Sequence, residues 1–248
     1  MNSINDEVYE WVGNKNRWFN ADLELLIARG KIPDYSTLNI YGYQPLVATS
    51  FIPIWENATE YTFPSSAITM YLSSTNGDTS SILINGLDLN YAPISETLSL
   101  TGTTPVPTVK QYLRINSMQV VAGNPAGTVS LKDISGTPIF AQIAVGVGRT
   151  QAAIYTVPAG YTFFLKRVNI YTSLNGNNHV VYRNRTSNPA GLVQLTQQAP
   201  FPVSYEAVRI MPRPFVEKTD IQLQCALQSG TGAIGISQEG YLIKNTVE

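Results

Sequence analysis

The chain has 248 residues, with 16 Lys or Arg against 17 Asp or Glu, which leaves a formal charge of −1 at neutral pH. A balance this even creates no field that would draw the chain to DNA or RNA, so nucleic acid is not expected as a partner. Charged residues make up 13 % of the sequence, about half the ~25 % of an average globular domain, and a surface of neutral polar groups suits contact with other proteins.

The opening run MNSINDEVYEWVGNK has no basic start leading into an apolar core, so no secretory signal is expected. No apolar run approaches the ~20 residues needed to cross a bilayer, so no membrane partner is expected and the chain reads as a soluble protein made in a cytoplasm. An aromatic cluster, Tyr9, Trp11, Trp18 and Phe19, precedes NADLELLIARG, where a short helix is predicted near residues 21–29. Asn20 can cap it, Asp22 and Glu24 complement its positive end, Arg29 falls in the last turn and Gly30 supplies the left-handed residue that stops it. Leu23, Leu26 and Ile27 make an i, i+3, i+4 stripe that needs an apolar partner.

The following run, KIPDYSTLNIYGYQPLVATSFIPIWENATEYTFP, carries prolines at 33, 45, 53 and 64 and little regular alternation. Proline cannot donate to a sheet ladder, which argues against a central strand, yet the run is too apolar for a disordered tail. Residues 1–65 are therefore expected to form an ordered N-terminal arm that holds all three tryptophans. Its anchoring residues would be Tyr9, Trp11, Trp18, Phe19, Leu23, Leu26, Ile27 and Trp55. They would pack either on the chain's own core or, as buried aromatic anchors, on a neighbouring subunit.

From Ser66 onward, short runs rich in β-branched and aromatic residues follow one another with Gly, Pro and Asn turns between them. Roughly a dozen strands at this spacing predict an all-β fold of one or two β-sandwich or jelly-roll domains. A soft boundary near residues 144–150 divides them into 66–147 and 148–248. Asn76-Gly77 reads as a hairpin turn, and Pro158-Ala159-Gly160 as a tight turn in which Gly takes positive φ. Three strands slip out of phase: Ile82 and Ile84 give way to Leu87 and Leu89 at Asn85-Gly86, Leu113 and Ile115 to Met118 and Val120, and Phe163 and Leu165 to Val168 and Ile170 at Lys166-Arg167. The slip at Lys166-Arg167 is most simply a β-bulge, which bends and twists the strand, and three such phase shifts in one chain point to strongly curved sheets.

The inventory for chemistry is thin. The single Cys225 lies in phase with Ile221, Leu223 and Leu227 and reads as a buried, inert thiol. The single His179 follows a turn, and one His with one Cys excludes zinc clusters and the usual triads. GVGRT is too short for a dinucleotide fingerprint. The carboxylates Asp78, Asp88, Glu96, Asp133, Glu206, Glu217, Asp220 and Glu239 are scattered, and nothing in the spacing pairs any two as glycosidases require. Asp88 and Asn90 fall far short of the six to eight oxygens of a Ca²⁺ site. The sequons at Asn57 and Asn184 matter only in a secretory pathway. No catalytic, metal or cofactor residue is therefore assigned. Arg183, Arg185, Arg209 and Arg213 alternate with Tyr182, Tyr205 and Phe215, which reads as a strand surface meeting a partner subunit's acids or as a sugar or phosphate groove.

The order of motifs resembles a family of virion structural proteins of podovirus-like phages of marine bacteria. The resemblance rests on NIYGYQPLVATSFIPIWENATEYTFP, carried by Gly42, Tyr43, Gln44, Pro45, Ile54, Trp55, Glu56, Tyr61 and Pro64. It runs on through INGLDLNYAPISETLSLTGTTPVPTVKQYLRINSM, AQIAVGVGRTQAAIYTVPAGYTFFLKRV and the closing DIQLQ and EGYLI, covering most of residues 38–243. Gln44, Glu56 and Asn57-Ala58 depart from the family's Asn, Asp and Gly-Gly. The resemblance implies a non-enzymatic building block made in the host cytoplasm and carried in the virion, a trimer or ring that touches capsid, portal, neck or tail subunits. A carbohydrate-binding sandwich, stacking host-surface glycans on Tyr182, Tyr205 or Tyr241, is the reading from another class.

Overall fold

A computed structural model describes residues 23–57, 59–173, 179–197 and 200–245. The chain is nearly all β: among the described residues there are sixteen strands and one short helix, α1 (Leu23–Ala28). Gly30 ends α1 at φ 66°, its N–H donating to Ile27 at 2.9 Å, as the left-handed cap requires.

The strands build two sandwiches. The first pairs the sheet β1 (Tyr35–Val47), β16 (Gly232–Lys244), β11 (Tyr161–Thr172) and β14 (Ser204–Phe215), in that order, with the sheet β10 (Ile154–Thr156), β15 (Asp220–Leu227), β12 (Val180–Ser187) and β13 (Val193–Gln197). The short β2 (Ile52–Pro53) also pairs with β15. Ile40, Phe163, Leu165, Val168, Ile170, Ile234 and Ile236 from one sheet meet Val180, Tyr182, Ile221, Leu223, Cys225 and Leu227 from the other in one buried core. The second sandwich sets β6 (Val106–Pro107), β3 (Tyr71–Ser74), β8 (Val129–Lys132) and β9 (Ile139–Ile143) against β5 (Pro93–Ser99), β4 (Ser81–Leu87) and β7 (Arg114–Ala122). Its core holds Met70, Leu72, Ile82, Ile84, Met118, Val129, Leu131 and Phe140.

The expected bulge at Lys166-Arg167 is present. Leu165 pairs with Gly240 and Arg167 with Glu239, so Lys166 is the extra residue. In β7, Ser117 pairs with Asn85 and Ile115 with Gly86, so Asn116 is a second extra residue and accounts for the slip from Ile115 to Met118; β4 runs in unbroken register with β5, and its change of phase at Asn85-Gly86 is not a bulge. The Lys166 bulge is lopsided. On its other side Leu165 faces Arg213 and Arg167 faces Val208, so four residues of β14, 209–212, loop out against it.

Two expectations are corrected. Asn76-Gly77 does not close a hairpin, because β3 pairs with β6 and β8 whereas β4 pairs with β5 and β7. The turn carries the chain from one sheet to the facing one. Asp78 fixes that crossing by accepting from Ala126 N–H at 2.8 Å, Gly127 N–H at 2.9 Å and the Ser74 hydroxyl. The proline-interrupted run, in turn, carries two strands, β1 and β2. Residues 35–47 form the edge strand β1, antiparallel to β16 from Tyr35–Ile243 to Val47–Gly232, and Pro45 sits where the register breaks between Gln44 and Val47. An edge with a bulge is where a sheet tolerates proline. Residues 66–147 are thus inserted between two parts of the first sandwich.

Candidate functional site

The two bodies are tied by a buried polar hub. Arg114, at the start of β7, donates from Nε to Asp220 Oδ1 at 2.8 Å and from Nη2 to Asp220 Oδ2 at 2.9 Å. Its Nη1 donates to the carbonyls of Pro64 and Leu113 at 2.7 and 2.8 Å. The guanidinium lies 4.8 Å from the Phe63 ring centre and 5.5 Å from that of Tyr91. Burial works against its charge, but the hydrogen bonds and negative charge of Asp220 outweigh burial and hold Arg114 above its ordinary pKa. Thr156 Oγ1 donates to Asp220 Oδ1 at 2.6 Å. Every polar group of this pair is occupied by the fold, so the hub is a clasp and offers nothing to a substrate.

Trp55 belongs to the same junction. It is 1 % exposed, meets Tyr61 edge-on with ring centres 5.1 Å apart, and donates from its indole N–H to the Thr59 carbonyl at 2.9 Å. The Tyr61 hydroxyl donates to Phe140 of the second body at 3.0 Å. Expected as an anchor, Trp55 is therefore spent inside its own chain. Leu26 and Ile27 are also buried, packed with Ile32 against Tyr35 and Tyr241 on the outer face of the first sandwich. Leu23 remains 51 % exposed. Tyr9, Trp11, Trp18 and Phe19 lie outside the described residues.

The residues considered for chemistry are dispersed. Cys225 is buried in the core, and burial pushes its thiol well above the ordinary value. Asp88 accepts from Asn90 and Ala92 N–H within its own turn. No three His, Cys, Asp or Glu side chains come together among the described residues. Glu56 is the exception in electrostatics: burial raises it from 4.5 to about 7, against the opposing pull of the Gln151 N–H it accepts. Its Oε2 is buried with no hydrogen-bond partner among the described residues. A cleft of about 610 Å³ lies between the bodies and is lined by neutral groups such as Asn85, Asn116, Ser117 and Tyr155, with Arg149 at its side.

The aromatic platforms considered for glycans are largely taken. Tyr182 is buried, its ring centre 5.2 Å from that of Tyr205, which also contacts Phe201 at 5.4 Å. Tyr241 packs with α1 and has Lys166 Nζ 6.0 Å from its ring centre. Arg183 lies 4.2 Å over Phe51 and donates to Gln224 at 2.7 Å. These arginine and tyrosine side chains serve the sandwich.

What the molecule leaves open is one side of the first sandwich. β13 and β14 pair with no further strand among the described residues, and Arg213 donates to Thr196 at 3.0 Å to hold the two edges side by side. Val193 and Leu195 are exposed along β13, with Leu192 just before it, and Val208, Ile210 and Met211 along β14, Ile210 completely. Sequence reasoning passed over these residues because VSYEAVRIM and GLVQL read as ordinary half-buried strands. Their excess of apolar groups on an edge becomes visible only once the neighbours are known.

No known protein family matches the sequence, and no curated protein matches it. Among solved structures, the chain is similar to one from infectious bursal disease virus, Gt strain, at 8 % identity and a TM-score of 0.23, with 91 % of this chain and 83 % of that one covered. A superposition this loose carries no argument for fold or function.

Proposed function

We propose that the chain is a non-enzymatic structural subunit of a tailed-phage virion, repeated in the neck, the tail or its fibre attachment, or decorating the capsid. The observation that carries this reading is the β13 edge. Val193 and Leu195 on this strand, and Leu192 just before it, are more than two-fifths exposed, and one side of the strand is open among the described residues. Monomeric proteins blunt such edges with charge or cover, whereas assembling subunits use them. The low charge content supports the same reading, as does the full engagement of the Arg114–Asp220 pair, the most buried ion pair among the described residues, in holding the fold.

Cryo-electron microscopy of phage particles from a host producing the chain tests it. The expected result is a β-rich density of 27.2 kDa per copy, repeated about a symmetry axis, with β13 against a neighbour. Leu195→Asp, at an exposed position, should leave the isolated fold intact and remove the chain from particles. Particles that contain no such density would overturn the proposal.

A further inference from the structure

The cleft between the two bodies is lined on one side by the free edge of β1. The register of β1 with β16 is unbroken from Tyr35 to Gln44, so alternate residues turn both main-chain groups toward β16 and the rest turn both away. Tyr43 turns away, because its N–H donates to the Gln151 carbonyl at 3.1 Å. Asn39 and Tyr41 follow in the same phase, and their N–H and C=O groups open onto the cleft with no partner among the described residues. The second body supplies the opposite side. There Asn85 donates from Nδ2 to Ser117 Oγ at 3.2 Å, which leaves Asn85 Oδ1 to accept and the Ser117 hydroxyl to donate. A third group is the Tyr155 hydroxyl. The Tyr155 ring packs in the first core, 6.4 Å from that of Phe163, and the residue is 8 % exposed, yet its hydroxyl has no hydrogen-bond partner among the described residues. Burial raises its pKa, so it stays a donor at neutral pH. A polar group left unpaired at such depth costs free energy, and Tyr155 lines the cleft, where a ligand can supply the missing partner.

These groups are neutral and mix donors with acceptors. Arg149 is the one charged side chain in the lining, so neither a polyanion nor a cation finds the charges it needs. The volume falls within the range of small-ligand sites, and half-buried Tyr161 and Leu38 add apolar contact. A sugar matches this chemistry, because each hydroxyl both donates and accepts while the ring carbons present apolar faces. A peptide strand would use the β1 edge alone, whereas an oligosaccharide also engages the amide and hydroxyl side chains opposite. We propose that the cleft binds an uncharged oligosaccharide through the Tyr155 hydroxyl, the Asn85–Ser117 pair and the main chain of Asn39 and Tyr41. The site is separate from the Tyr182, Tyr205 and Tyr241 surfaces and stands whether or not the chain is carried in a virion.

Saturation-transfer NMR on the purified full chain tests this. The neutral probes are trisaccharides of glucose, galactose, mannose and N-acetylglucosamine, with a heparin fragment as the anionic probe and pentathreonine as the strand probe. At least one neutral trisaccharide should bind, and Tyr155→Phe should weaken its Kd by about fivefold or more, as the loss of one hydrogen bond requires. The hydroxyl has no partner within the described fold, so this variant should melt at the wild-type temperature. Ser117→Ala, at a half-buried position, should weaken binding in the same direction. Absence of binding by every neutral probe, or equal affinity in wild type and either variant, would overturn the proposal. Tighter binding of the heparin fragment would overturn it by giving the cleft to an anion held at Arg149, and tighter binding of pentathreonine by giving the β1 edge to a peptide strand.

Discussion

Asp220 receives the Arg114 fork and the Thr156 hydroxyl in a site where both charged side chains are under a tenth exposed. Removing one member of such a pair strands the other without water, which costs about 3–5 kcal/mol. Asp220→Ala should therefore lower the urea unfolding free energy by that amount, and the double replacement Arg114→Met with Asp220→Leu should recover most of it. Glu56 predicts a pH effect of definite sign. The folded carboxyl keeps its proton to about pH 7, whereas the unfolded one releases it at its ordinary value of 4.5. Between these values the unfolded state binds fewer protons, so the stabilisation is complete below pH 4.5 and is lost as pH rises through 7, by at most about 3 kcal/mol. Denaturation series from pH 4 to 8 should show this fall in the wild type, and Glu56→Gln should flatten it.

At the scale of the element, the Lys166 bulge is held by close backbone contact. A Cβ on Gly240 would lie 2.0 Å from the Phe164 carbonyl oxygen, so neither strand can yield without opening the ladder. Gly240→Ala should cost about 1–3 kcal/mol or more, read as a lowered melting temperature, whereas Gly30 has open space around it despite its positive φ. The slips at Lys166 and Asn116 were legible in the sequence because alternation has period two and one extra residue inverts every side chain after it, whereas the change of phase in β4 had no extra residue behind it. The helix stop at Gly30 and the core face of Cys225 were legible for similarly local reasons. Asn76-Gly77 misled because turn chemistry sets a local reversal, while the identity of the strand on the far side is set by non-local pairing. The Arg114–Asp220 clasp joins residues 106 positions apart, and nothing in either neighbourhood points to the other. The open β13 and β14 edges escaped for the same reason, since an edge is defined by a missing neighbour.

At the scale of the molecule, two cores are joined by the clasp and the Trp55–Tyr61 cluster. The two bodies should unfold as one unit while these hold. Native-state hydrogen exchange should give matching opening free energies for the amides of Ile84 in the second core and Leu223 in the first, and Asp220→Ala should split them. The pairing of β1 with β16 also fixes an order in time. Tyr35 meets Ile243 across that ladder, so during synthesis β1 must wait, unpaired, until nearly the whole described chain has left the ribosome. Residues 66–147 contain all the strands of the second sandwich and can close long before then. The part of the molecule inserted in the middle is thus the first to be finished, and it serves as the surface on which the two separated halves of the other sandwich are brought together.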